Sequence, residues 1–181
     1  MGRLHSTGGL WLLVGALLLA APLSLVGWTL LACVVHELGH YLAIRILGGE
    51  VEALQLTGLG AVMVPRGMFG YREECLIALA GPAASLALAL LTAPVEETLA
   101  GVSLVLGLFN LLPLAPLDGG RVLRGLVCRW FGPDTGERVS CLVTRMLSLV
   151  LVGLGIWVVL QDGNFTLLLF GLVFLWKGSL L

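Results

Sequence analysis

One helical turn constrains this chain more than any other stretch: Val34-Val35-His36-Glu37-Leu38-Gly39-His40. In a helix, residues four apart share a face, so His36 and His40 can offer their imidazoles to one ion. Glu37 stands off that pair, close enough to take a proton from a water on the metal, which is the zinc-peptidase arrangement. The surroundings sharpen the reading. From Leu23 to Leu47 the only charged residues are Glu37 and Arg45, so the pattern sits where a bilayer is expected. Ionisable groups at membrane depth are costly and mark function by default. Lipid cannot satisfy two histidines and a glutamate, so they must face a cavity, a metal or each other.

Composition agrees. The 181 residues are 59% hydrophobic and 12% charged, against about 25% charged in ordinary globular proteins. A single membrane-embedded domain over residues 1–181 is the economical reading, its core at about 25–125 and its accessory helices at about 8–22, 139–160 and 165–181. Cys33, Cys75, Cys128 and Cys141 show no C-x-x-C spacing, which argues against a disulfide framework and a cysteine metal site. The formal charge of −1 argues nothing about nucleic acid, and no nucleic-acid partner is expected.

Taken in order, Leu10 to Leu23 is apolar after a short polar start. It reads as a first spanning helix rather than a signal peptide, since no clean cleavage pattern precedes Trp28. A second helix runs from about Leu25 to Leu47 and stops at Gly48-Gly49. Val51 to Thr57 and Ala61 to Val64 are strand-like around Gly58-Leu59-Gly60, a hairpin turn or else an interfacial loop. Their apolar content favours a hairpin dipping back towards the His36–His40 site. Its edge could pair with an extended peptide, making Gly58, Gly60 and Val62 candidate substrate-binding residues.

A third helix spans Glu73 to Leu91, with Gly81 and Ser85 as small residues that let another helix approach closely. The fourth begins at Thr98 and runs to Leu112, where Pro113 and Pro116 break it and leave carbonyls in need of partners. Arg121 to Phe131 is amphipathic and suits the interface. Gly132 to Gly136 reads as a turn, and Val139–Leu160 and Phe165–Leu181 as the last two spans. The fold expected is an all-α polytopic membrane protein of about six transmembrane helices, with a re-entrant β-hairpin and a proline-broken fourth helix. With the N-terminus in the cytoplasm, the outer loops near 22–25, 92–98 and 161–164 hold no lysine or arginine, while Glu96, Glu97 and Asp162 lie there. That is the positive-inside pattern, with both termini and the His40 and Asp118 end of the membrane cytoplasmic.

A catalytic zinc takes three protein ligands and keeps a position for water. Among the acids, Glu96, Glu97 and Asp162 fall on the far side, and Glu50, Glu52, Glu73, Glu74, Asp134 and Glu137 lie in charged stretches. Asp118 alone ends an apolar, proline-broken segment at the right depth, either as a ligand or as a helix-end or turn aspartate.

His36-Glu37-Leu38-Gly39-His40 together with Asn110-x-x-Pro113-x-x-Pro116-Leu117-Asp118-Gly119 resembles the site-2 protease family of intramembrane zinc metalloproteases. Within that family it resembles the compact six-helix type that processes sporulation factors. Gly81-Pro82-Ala83-Ala84-Ser85 is similar to that family's small-residue motif. The likeness covers roughly residues 28–125, with no PDZ module between the motifs and no CBS domain after the last helix. It implies that Asp118 is the third zinc ligand, that Asn110 helps to hold the substrate strand, and that the hairpin is re-entrant.

The function expected is hydrolysis of a peptide bond in or near a transmembrane segment of a membrane-protein substrate. One Zn2+ per chain, held by His36, His40 and Asp118, would activate the water, with Glu37 as the catalytic base. The setting expected is a prokaryotic plasma (inner) membrane. A homo-oligomer or a regulatory membrane partner is left open. The alternatives are a metal-ion transporter, for which only one ligand cluster is present, and a catalytically inactive membrane-binding homologue, which need not keep Glu37 beside both histidines.

Overall fold

The computed structural model of the chain describes residues 3–6, 22–57 and 60–178. Its elements are β1 (Arg3–Ser6), α1 (Leu23–Ile46), β2 (Glu50–Thr57), β3 (Gly60–Arg66), α2 (Tyr71–Thr92), α3 (Glu97–Asn110), α4 (Asp118–Phe131), α5 (Pro133–Asp162) and α6 (Thr166–Gly178). They fall into two compact units, Met1–Phe109 and Asn110–Leu181. The expected first span, Leu10–Leu23, lies almost wholly outside the described residues, as do Gly58 and Leu59 of the expected turn.

In the first unit, α1 is built inside out by the standards of a water-soluble helix. It buries Val26, Ala32, His36, His40 and Ile44 and exposes Leu23, Val34, Leu38, Leu42 and Ile46. Buried imidazoles and exposed leucines suit a helix whose outer solvent is lipid. Its 24 residues reach about 36 Å, enough for a hydrocarbon core of about 30 Å. The helix ends where the sequence places its glycines. Gly48 takes φ 81°, its N–H bonds the Arg45 carbonyl at 3.1 Å, and the Gly49 N–H bonds that of Ile44 at 2.9 Å. These crossed bonds form a Schellman cap, which satisfies carbonyls the helix itself leaves open.

β2 and β3 pair antiparallel, with Thr57 opposite Gly60 and Gln55 opposite Val62, and an irregularity lies between Val51 and Ala53. β1 adds to the other side of β2 in parallel, Arg3 opposite Ala53 and Ser6 opposite Leu56, giving the order β1-β2-β3. The sheet is thus three-stranded, where the sequence suggests only a hairpin. Four residues, Arg3-Leu4-His5-Ser6, are too few to show an alternating pattern from which a strand could be read. β3 is an outer strand among the described residues, and Pro65, which has no N–H to give, sits on it as prolines do on sheet edges.

α2 and α5 are, like α1, long and apolar enough to cross a membrane, while α3 and α6 are apolar but have only 14 and 13 residues. Three helices therefore meet the length criterion for a span among the described residues. In the second unit α5 begins at Pro133, so Gly132 to Gly136 is not a free turn. Proline is well placed in a first helical turn, where its missing N–H has no partner to lose. Gly132, at φ 87°, separates α4 from α5, and Gly163, at φ 70°, separates α5 from α6.

Candidate metal centre

The centre is built where α1 and α2 touch. A Cβ on Gly39 would press on the Ala80 carbonyl and come within 2.8 Å of the Ala84 Cβ, so the two backbones are in close contact at this level. That contact brings the second helix against the imidazoles. The Nδ1 of His36 lies 2.9 Å from the Ser85 hydroxyl oxygen, and the Nδ1 of His40 donates to the Ile77 carbonyl at 2.7 Å. Pro82, inside α2, has no N–H for the Ala78 carbonyl, and a carbonyl has two lone pairs, so that of Ile77 can accept from His40 within a helix.

With both Nδ1 atoms occupied, the two Nε2 atoms are turned towards each other at 3.2 Å, the rings crossing at 78°. The His40 proton is on Nδ1, because a carbonyl can only accept, which leaves its Nε2 as an acceptor in the neutral ring, facing that of His36. Bare nitrogens this close repel unless a proton or a cation stands between them. Nitrogens about 2.05 Å from a tetrahedral zinc are separated by about 3.3 Å, so the spacing fits the metal. The Nδ1 bonds fit as well, since metal-binding histidines commonly give their second N–H to a carbonyl or carboxylate. Both rings are buried. Glu37, one residue along α1, is half-buried.

Gly81 supplies the room. A Cβ there would overlap the His40 Nε2 and lie 2.8 Å from that of His36, so only glycine leaves space beside both nitrogens. The sequence marks Gly81 and Ser85 as packing residues; the structure adds that one clears the imidazole tips and the other holds a ring. No sequence signal connects Ser85 to His36, which is 49 residues away.

Asp118 opens α4, is buried, and has an Oδ1 3.5 Å from the Arg121 guanidinium. An acid in the first turn suits the helix dipole. Ahead of it, Asn110 closes α3 and Pro113 and Pro116 fall in the connecting segment. Of the expected substrate-binding residues, Gly60 starts β3 and Val62 lies within it, while Gly58 is outside the described residues.

The centre is thus an H-E-x-x-H helix that aims two anchored imidazoles at each other in a chain this apolar. Residues 94–154 match peptidase family M50. Rip3 of Mycobacterium tuberculosis, whose name places it among the zinc metalloproteases, is 37% identical over 145 residues, covering 70% of this chain and 37% of its own. Zinc metalloprotease MJ0392 of Methanocaldococcus jannaschii is 28% identical over 140 residues, covering 68% of this chain and 40% of its own. The solved site-2 protease from Methanocaldococcus jannaschii shares the fold, with a TM-score of 0.77 at 24% identity over 99% of this chain and 91% of that one. The chain carries a peptidase family M50, or site-2 protease, domain. It spans about two-fifths of the length of the curated relatives it matches.

Proposed function

We propose that this chain is an intramembrane zinc metalloprotease that cleaves a peptide bond within or near a transmembrane segment of a membrane-protein substrate. The observation that carries the reading is the pair of anchored imidazoles, Nε2 atoms 3.2 Å apart, on an apolar helix long enough to span a bilayer. We assign one zinc per chain to His36, His40 and Asp118, since two imidazoles and a carboxylate are a donor set that suits the ion. Zinc, when bound, supplies a Lewis acid that makes water nucleophilic near neutral pH and polarises the scissile carbonyl. Glu37 accepts the proton of the attacking water on its carboxylate and returns it to the leaving amine.

A helical substrate hides its carbonyls in its own hydrogen bonds and must unwind to be cut. The outer edge of β3 offers it replacement partners from Gly60 to Val64, and Pro65 ends the run of donors. Asn110, Gly58, Gly60 and Val62 are the residues proposed to contact the unwound strand. The setting proposed is a prokaryotic plasma membrane crossed by about six helices, with both termini and the access route for water on the cytoplasmic side.

The test is cleavage of a single-span peptide by the chain reconstituted in liposomes. Hydrolysis is expected to stop on zinc chelation and to return with added zinc. Hydrolysis that persists after chelation would overturn the proposal, and zinc flux without cleavage would favour a transporter.

A further inference from the structure

The segment between α3 and α4 can be accounted for bond by bond. Pro113 and Pro116 have no N–H. The Leu114 N–H bonds the Leu112 carbonyl at 2.8 Å, and the Leu117 N–H bonds that of Leu114 at 2.8 Å. One N–H of residues 113–117 is left, that of Ala115, and it donates to the Thr144 hydroxyl oxygen on α5 at 3.0 Å. In an apolar surrounding such a donor needs a partner, and the segment's own turns do not supply one. Thr144 has no exposed surface. Thr29 and Thr92, by contrast, return their hydroxyls to the carbonyls four residues back, Leu25 and Leu88, the usual habit of a helical threonine.

The bonded peptide also bears on Asp118. A Cβ on Gly120 would overlap the Leu114 carbonyl and lie 2.7 Å from the Ala115 nitrogen, and one on Gly119 would overlap the Leu111 carbonyl. The first turn of α4 is therefore seated on the peptide that Thr144 holds. We propose that Thr144 is a positioning residue: through the Ala115 N–H it fixes the proline-broken segment and, with it, the direction of the Asp118 carboxylate. The proposal rests on Asp118 being a zinc ligand.

The experiment uses the full chain with Thr144→Val, Thr144→Ser and Asp118→Ala. It reads zinc release to a chelator and hydrogen exchange over 113–117, where only Leu114, Ala115 and Leu117 carry amides. Thr144→Val is expected to expose the Ala115 amide to faster exchange and to weaken zinc retention about tenfold, the scale of an outer partner's loss. Thr144→Ser keeps the acceptor and is expected to restore both. Asp118→Ala is expected to lose zinc while Ala115 stays protected. Unchanged Ala115 exchange in Thr144→Val, or faster exchange with zinc held as in wild type, overturns the proposal. Zinc retained by Asp118→Ala instead overturns the ligand reading beneath it, a separate and distinguishable failure. Should Thr144→Val not fold, the same readouts on Thr144→Ala decide.

Discussion

Glu37→Gln is expected to stop peptide hydrolysis while leaving zinc bound. Glutamine keeps the size of the side chain and loses the ability to take a proton. Glu37 adjoins His36 in the chain but is not one of the three ligands proposed, so the metal has no reason to leave. General-base catalysis contributes about 10²–10⁴-fold, equivalent to about 3–5 kcal/mol of transition-state stabilisation. The check is the rate of single-span peptide cleavage together with zinc content on the same preparation. Cleavage near the wild-type rate would remove Glu37 from the mechanism, and zinc lost with activity would make it a ligand rather than a base.

The second large effect is expected from a single added methyl group. Gly81→Ala places a Cβ against the His40 Nε2 and within 2.8 Å of the His36 Nε2. Neither ring can swing clear without giving up its Nδ1 bond to Ser85 or Ile77. Overpacking of this kind costs about 1–3 kcal/mol of stability, which a folded chain can survive, but the two nitrogens no longer converge. Zinc affinity is expected to fall at least about a hundredfold, or about 2.8 kcal/mol. Competition with a chromogenic chelator measures it, and a thermal melt shows whether the fold is kept. Wild-type affinity in a folded Gly81→Ala would mean that the metal does not sit at the imidazole tips.

Much of this arrangement is legible in the residues because local rules act there without competition. The four-residue spacing of His36 and His40 puts both rings on one face of α1 and needs nothing from elsewhere. Gly48-Gly49 ends that helix as a Schellman pair, and the strands on either side of residues 58 and 59 pair antiparallel. What escapes the sequence depends on distant partners. Ser85 looks like a packing residue until α2 lies against α1 and its hydroxyl meets His36. Thr144 is one hydroxyl among several on α5 until the proline-broken segment presents Ala115 to it. Gly132-Pro133-Asp134-Thr135-Gly136 has the composition of a turn, yet Pro133 opens a helix that the apolar residues after it sustain. β1 is four residues long and draws its order from the edge of β2, which no local pattern records.

His36, His40 and Asp118 are proposed to hold one zinc that Glu37 serves without binding. The most direct measurement is zinc per chain in detergent-purified wild type, His36→Ala, Asp118→Ala and Glu37→Gln. About one zinc is expected in wild type and in Glu37→Gln, and its loss from the other two. Zinc undiminished in Asp118→Ala, or absent from freshly prepared wild type, would contradict it.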